Sequence, residues 1–245
     1  MAAAPDLTVI VPLYQEGPTL HDSLVRLAAC LAAHPRSWEI VLVDDGSRDG
    51  SRQVAEAWAE AYRREHPTAV IRSAHHEGNR GRGAAVKTGL RAARGTVAGF
   101  LDIDLEVGER FIEPCVSAVE AGADVVVGER EYALQPRSWL RHLLSKGYAG
   151  LCRSVIHTSV RDTEAGFKWF RREALLPLLD RITDDGWFFD TEVVVRAERA
   201  GLVVTSVPVE FVRRFEKVST VRPLRDSLVY LRRLFAFRRA LGQEA

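Results

Sequence analysis

The sequence predicts an α/β domain, a mostly parallel sheet with helices on both faces, and three observations lead there. Short apolar runs alternate along the chain with segments of helical periodicity. The runs are nearly continuous rather than alternating, as befits strands covered on both sides. Polar, glycine-bearing segments follow four of them in succession, and open α/β sheets bind ligands just beyond the carboxyl ends of their strands.

Residues 7–13 read as the first strand, followed by Tyr14-Gln15-Glu16-Gly17-Pro18, where Pro18 suits the opening of a helix over 19–33. Residues 39–43 form the second strand and deliver Asp44-Asp45-Gly46-Ser47-Arg48-Asp49-Gly50-Ser51, with a helical pattern over 51–64. The third strand, 70–73, leads into His75-His76-Glu77-Gly78-Asn79-Arg80-Gly81-Arg82-Gly83 and a helix over 84–93. The fourth, 97–101, ends on Asp102-Ile103-Asp104-Leu105-Glu106, with a helix over 111–121. Further on lie a strand at 124–127, a helix over 140–156 and a strand at 202–209. Aromatics gather in Gly166-Phe167-Lys168-Trp169-Phe170 and Gly186-Trp187-Phe188-Phe189-Asp190, which read as loops that either wall a pocket or cap the core.

A chain of 245 residues, 47% hydrophobic and 27% charged, buries a full core, which excludes a disordered chain and a disulfide-stapled miniprotein. Its 34 Lys and Arg against 33 Asp and Glu leave a formal charge of +1, too weak a field to argue for nucleic acid. The balance conceals an asymmetry. From Phe211 onward Arg213, Arg214, Lys217, Arg222, Arg225, Arg232, Arg233, Arg238 and Arg239 face only Glu216, Asp226 and Glu244, so the tail carries +6 and the body −5. Cys30, Cys115 and Cys152 are widely spaced, with neither a CxxC pair nor metal-ligand spacing, which fits packing in a reducing cytoplasm. No signal peptide or membrane-spanning apolar run is visible, so any membrane contact is expected to be peripheral, on the cytoplasmic face.

At a strand end, Asp102 and Asp104 share one side of an extended chain. With Glu106 nearby they suit a hard cation, Mg²⁺ or Mn²⁺, that in turn holds a diphosphate. In Asp44-Asp45-Gly46-Ser47, either the residues build a turn or one carboxylate accepts hydrogen bonds from a nucleoside. Asn79-Arg80-Gly81-Arg82-Gly83, with Lys87 in the following helix, offers backbone N–H groups and cations to a phosphate. Neither a P-loop nor a dinucleotide fingerprint is present.

Taken in order, Val9-Ile10-Val11-Pro12-Leu13-Tyr14-Gln15-Glu16, Val43-Asp44-Asp45-Gly46-Ser47, Asn79-Arg80-Gly81-Arg82-Gly83-Ala84-Ala85-Val86-Lys87-Thr88-Gly89, Asp102-Ile103-Asp104-Leu105, Asp162-Thr163-Glu164-Ala165-Gly166-Phe167-Lys168 and Phe189-Asp190-Thr191-Glu192 resemble the family 2 glycosyltransferases. Within them the closest likeness is to the dolichyl-phosphate mannose synthase-like and polyprenyl-phosphate sugar synthase-like branch. The resemblance implies a GT-A fold, with residues 1–221 as catalytic domain and 222–245 as a basic amphipathic helix, part of the domain or in contact with an anionic membrane surface. It implies inverting transfer of a hexose or N-acetylhexosamine from a UDP- or GDP-sugar, with Mg²⁺ or Mn²⁺. By analogy Pro12, Tyr14, Glu16 and Asp45 hold the nucleoside, Asp102, Asp104 and Glu106 the metal and diphosphate, and Ile103 belongs to the nucleotide-sugar site. Lys87, Arg130, Lys168 and Arg213 or Arg214 are the basic positions. The chain departs from the family at Gln15, at Glu106 and at Thr220, where the relatives usually carry Asn, Gln and Lys.

The acceptor decides whether a base is needed. A polyprenyl phosphate is already anionic; a soluble hydroxyl must lose a proton to a carboxylate, for which Asp162, Asp190 and Glu192 are the candidates. The several cations favour the phosphate. A non-catalytic protein of the same fold is the reading from another class, opposed by the intact Asp102 and Asp104 pair.

Overall fold

The structure is a computed structural model that describes residues 4–132, 150, 153–212 and 223–243. Seven strands form one sheet in the order β3-β2-β1-β4-β6-β5-β7. They are β1 (Leu7–Leu13), β2 (Trp38–Asp44), β3 (Val70–His75), β4 (Val97–Leu101), β5 (Val125–Tyr132), β6 (Phe167–Arg171) and β7 (Val204–Phe211). All run parallel except β6, which is antiparallel to both β4 and β5. Helices α1 (Leu20–Ala32), α2 (Ser51–Glu65), α3 (Arg82–Ala92) and α4 (Ile112–Glu120) connect the first half; α5 (Arg172–Leu179), α6 (Phe189–Arg199) and α7 (Pro223–Gln243) belong to the second.

The continuous apolar strands are buried on both faces because the sheet lies between two cores. Val9, Val11 and Leu13 point into the cluster under α1, α2 and α4, with Leu24, Leu27, Trp58 and Val116. Their neighbour Ile10, with Val41 and Val43, faces α3, α5 and α6 through Val86, Leu90, Leu175 and Val193. A third cluster seats α7: Leu234, Phe237 and Leu241 pack on Val155, Ile156, Phe188 and Val195. Strand order reverses between β1 and β4, so the loops beyond their carboxyl ends diverge and leave a crevice.

Boundaries of β1 and β4 match the apolar runs residue for residue. Elsewhere the structure amends the reading. Strand β5 continues past residue 127 because its parallel ladder with β7 runs from Val125 to Tyr132, so Arg130 lies inside a strand rather than at its end. Strand β7 starts at Val204, two residues late, because Leu202 N–H closes on the Ala197 carbonyl at the end of α6. The aromatic segment around 166–170 is not a loop. It is β6, in the middle of the sheet, with Phe167, Trp169 and Phe170 at the heart of the core. Phe188 and Phe189 are buried as well, whereas Trp187 is 69% exposed. Of the helix expected over 140–156, all but residues 150 and 153–156 lie outside the described residues.

Antiparallel pairing puts Phe167 opposite Leu101. The start of β6 therefore lies at the same edge as the end of β4, and segment 162–166 runs beside Asp102. Gly99, paired with Trp169, leaves room for the indole ring over the sheet: a Cβ there would overlap it. Gly99→Ala is expected to lower stability by about 1–3 kcal/mol, the cost of overpacking. Urea unfolding, followed by circular dichroism, measures it, and an unchanged midpoint would show that the Trp169 slot is loose.

Candidate functional site

Four charges alternate in sign from the crevice down into the core: Asp102, Arg82, Asp190 and Lys168. Arg82, at the first position of α3, donates from Nε to Asp102 Oδ1 at 2.8 Å and from Nη1 to Asp190 Oδ2 at 2.6 Å. Lys168 Nζ reaches Asp190 Oδ1 at 3.1 Å and also donates to the Ala165 carbonyl. Lys168 has 0% exposure and Asp190 1%, so each needs the other; an unpaired buried charge costs several kcal/mol. Burial pushes the Asp190 carboxyl up and the Lys168 ammonium down from their ordinary values, each opposed by the charge of the other. Burial also works against the Arg82 cation, but Asp102 and Asp190 outweigh it and raise its pKa. Arg82 lies over the Phe100 ring and under the exposed Trp187 ring, 5.2 Å from each centroid.

Gly166 makes room for this arrangement. A Cβ there would overlap Asp102 Oδ2 and come within 2.7 Å of Arg82 Nη2. Asp102 and Asp104 are partly exposed in the loop after β4, where Asp104 Oδ1 accepts from Glu106 N–H at 3.2 Å. Ile103 is buried beneath them, and the Glu106 carbonyl ties the loop to β7 through Val212 N–H at 2.8 Å. Among the described residues no group of three or more His, Cys, Asp and Glu side chains forms a metal cage. Asp102 and Asp104 fit the looser demand of Mg²⁺ or Mn²⁺, which takes one or two carboxylates and completes its shell from substrate phosphates and water.

Where the sequence leads one to expect the nucleoside, the loop after β1 is tied to the loop after β2. Gln15 N–H donates to Ser47 Oγ at 3.0 Å, Glu16 N–H to Ser51 Oγ at 2.9 Å and Gly17 N–H to Asp49 Oδ2 at 3.2 Å. Pro12 is buried in β1, Tyr14 is exposed, and Glu16 accepts from Tyr14 N–H at 3.3 Å. Asp45 is spent inside the fold, accepting from His76 Nδ1 at 2.7 Å, Arg80 N–H at 2.9 Å and Gly81 N–H at 2.8 Å. Two of the amides read as phosphate donors are thus taken by a carboxylate. Its neighbour Asp44 uses only Oδ2, for Gly46 and Ser47 N–H at 3.2 and 3.1 Å; buried Oδ1 has no partner among the described residues. Lys87 is buried against Asp185 Oδ1 at 2.5 Å and the Ile182 carbonyl at 3.2 Å.

The three candidate bases are all engaged. Asp162 receives a two-pronged contact from Arg130, 2.7 Å from Nε and 2.8 Å from Nη2. Burial tends to raise the Asp162 pKa, but the hydrogen bonds and charge of Arg130 win and hold it below the usual carboxylate range. Glu192, 1% exposed, accepts from Arg196 Nε at 2.8 Å and from the Thr183 and Asp184 N–H groups at 3.0 and 2.8 Å. Asp190 is the third, already paired. Arg213, Arg214 and Thr220 lie outside the described residues.

The individual residues missed in the sequence are His76 and Tyr230. Tyr230, on α7, hydrogen-bonds Thr191 Oγ1 at 2.6 Å and the Glu164 carboxylate, and next to it Arg233 pairs with Asp184. A polar residue one helical turn before an apolar stripe is the signal that could have found Tyr230. Arg82 was visible within its motif as a phosphate cation, but its carboxylate partners were not.

Comparison with known proteins finds similar chains and similar folds. The glycosyltransferase AglD of Haloferax volcanii is 33% identical over 91% of the chain, which spans only 36% of AglD. The dolichyl-phosphate β-glucosyltransferase of Drosophila melanogaster is 31% identical over 84% of the chain and 67% of its own length, and that of Saccharomyces cerevisiae 29% identical over 84% and 66%. Among solved structures, glucosyl-3-phosphoglycerate synthase from Mycobacterium tuberculosis, in complex with Mg²⁺ and UDP, superposes with a TM-score of 0.67 at 20% identity, over 95% of this chain and 77% of that one. The mannosyltransferase PcManGT from Pyrobaculum calidifontis, in complex with GDP-Man and Mn²⁺, does so at 0.61 and 21% identity, over 99% and 65%. Both likenesses establish the GT-A fold. The family model "Glycosyl transferase family 2" matches residues 8–178, and the chain belongs to that family of enzymes.

Proposed function

We propose that the chain transfers a hexose or N-acetylhexosamine, with inversion, from a UDP- or GDP-sugar to a polyprenyl or dolichyl phosphate. The observation that carries the acceptor is the condition of the three candidate bases. Asp162 is clamped by Arg130, Asp190 by Arg82 and Lys168, and Glu192 by Arg196. Taking a proton from a hydroxyl would require breaking one of these pairs, whereas a phosphate oxygen arrives ionised and needs no base. The dolichyl-phosphate β-glucosyltransferases among the relatives support the same acceptor class.

In the reaction an acceptor phosphate oxygen attacks the anomeric carbon as the bond to the donor diphosphate breaks, releasing a nucleoside diphosphate. Asp102 and Asp104, with Glu106 beside them, would hold Mg²⁺ or Mn²⁺, whose charge offsets that of the leaving diphosphate when it is bound. Arg82 holds the Asp102 carboxylate in one orientation and is a preorganised cation beside it. The loops at Pro12, Tyr14, Glu16 and Asp45 shape the nucleoside side, where Asp44 Oδ1, without a partner among the described residues, is an acceptor for a nucleobase N–H. Arg130, and Arg213 in the tail, are the cations for the acceptor phosphate; Lys87 and Lys168 act from below by holding Asp185 and Asp190.

Helix α7 supports peripheral contact with an anionic membrane on the cytoplasmic face. Its inner face is buried, while Arg232, Phe235, Arg238 and Arg239 are exposed, Phe235 by 48%. Among the described residues no helix is long and apolar enough to cross a membrane. A second reading, the same donor chemistry onto a soluble hydroxyl, is favoured by Glu164, an exposed carboxylate two residues from Asp162.

Incubated with radiolabelled UDP-glucose or GDP-mannose, Mn²⁺ and detergent-dispersed polyprenyl phosphate, the purified protein is expected to send label into the organic phase. Label recovered only in an aqueous product would reject the lipid acceptor. Asp104→Ala is expected to cut turnover at least about 10²-fold, in the range of losing one charge-stabilising group; turnover equal to wild type at every Mn²⁺ concentration would reject the metal role. Arg82→Lys keeps the charge but not the fork that spans Asp102 and Asp190, so an initial-rate loss of about tenfold or more is expected. Wild-type rates for Arg82→Lys would reduce Arg82 to a counter-ion.

A further inference from the structure

The mechanism leaves unused a buried histidine one residue beyond β3. His76 is 8% exposed and both ring nitrogens are engaged: Nδ1 with Asp45 Oδ1 at 2.7 Å, Nε2 with Thr88 Oγ1 of α3 at 3.0 Å. Its backbone N–H donates to the Asp44 carbonyl at 2.8 Å, so the ring is aimed by the sheet itself. Asp45, 2% exposed, has three donors, and the other two are the consecutive N–H groups of Arg80 and Gly81. Those amides immediately precede Arg82. Gly81 has φ of +106°, a conformation rare for residues with side chains, and a Cβ on it would overlap the Asp185 carbonyl, so this turn has little freedom to settle elsewhere. Gly46 packs against the same loop, with only 2.6 Å between its virtual Cβ and the Gly78 carbonyl carbon.

We propose that His76 is a positioning residue for donor binding: through Asp45 it fixes the Arg80–Gly81 turn, and thereby the Arg82 guanidinium against Asp102. Nδ1 with Asp45 and Nε2 with Thr88 leave neither ring nitrogen without a partner. Without the ring, Asp45 keeps its two amide donors but loses its hold on β3 and α3, and small displacements of a preorganised charge are costly. His76 touches no reacting atom, so its loss acts on donor affinity rather than on the chemical step. The inference rests on the nucleotide-sugar reading above.

The test is His76→Leu beside His76→Asn, whose side-chain amide can donate to Asp45 in place of Nδ1–H. Calorimetry with UDP or GDP in the presence of Mn²⁺ measures binding without turnover, and initial rates give KM and kcat. His76→Leu is expected to raise Kd for the bound nucleotide and KM for the sugar nucleotide by about tenfold, with kcat within about threefold of wild type; His76→Asn is expected to recover most of the loss. A folded His76→Leu with wild-type Kd and KM overturns the proposal, as does a His76→Asn no better than His76→Leu. Should His76→Leu fail to fold, Thr88→Val decides: it removes the Nε2 partner alone and is expected to raise Kd by a smaller factor, and unchanged Kd overturns the proposal. If wild type binds a nucleotide yet glycosylates no lipid phosphate, the acceptor reading falls and the binding arm still decides on His76. If wild type binds neither nucleotide, both fall.

Discussion

The site depends on a lysine that has no access to water. Lys168 is the second residue of β6, an interior strand of the seven-stranded sheet, where an ammonium group survives only beside a countercharge. Asp190 provides it, and being just as deeply buried requires Arg82 on its other oxygen. Arg82 in turn reaches Asp102 at the crevice. Electroneutrality in a poorly polarisable interior thus dictates the orientation of a carboxylate at the surface. Shape follows from the same demand: Gly166 is bare where Asp102 and Arg82 pass, and Gly81 and Gly83 are bare where α3 meets the loop that carries Asp185.

The first half of the fold was legible because its signals are local. Strands β1 and β4 are uninterrupted apolar runs, and each ends on glycine or carboxylates that mark the functional edge. In the second half the signals are conditional. Lys168 breaks the apolar run of β6, so Phe167-Lys168-Trp169-Phe170 reads as a loop; only Asp190, on a helix whose chain position gives no hint of contact, makes lysine acceptable there. Helix α6 is buried over the nine residues from Phe189 to Ala197, yet Asp190, Glu192 and Arg196 give it the charge of a surface helix. Each of these three is neutralised by a partner, Glu192 and Arg196 by each other, and periodicity cannot register that.

The site residues divide along the same line. Motif position singled out Asp102, Asp104, Arg130, Asp162 and Asp190, but roles need partners: Asp102 is partly exposed, whereas Asp190 is buried behind Arg82. Asp45 and Lys87, read as ligand contacts, have their polar atoms committed to His76, Arg80, Gly81, Ile182 and Asp185. They are the framework against which the ligand-facing loops are set. Asp44 lies in the pair that reads either as a turn or as a nucleoside contact: its Oδ2 builds the turn with Gly46 and Ser47, and its buried Oδ1 has no partner among the described residues.

Strand β6 inserts between β4 and β5, so the sheet is completed out of chain order. Arg82 and Asp102 belong to the part of the chain that can pair locally, strand by strand; Lys168 and Asp190 arrive only with the closure of contacts distant along the chain, the slow kind of contact in folding. Until that closure Arg82 has one carboxylate instead of two, and Lys168 has no place in a core. The charge array is therefore incomplete until β6 and α6 are in place, and a chain that has completed only its first half carries Asp102 and Asp104 without the array that orients Asp102.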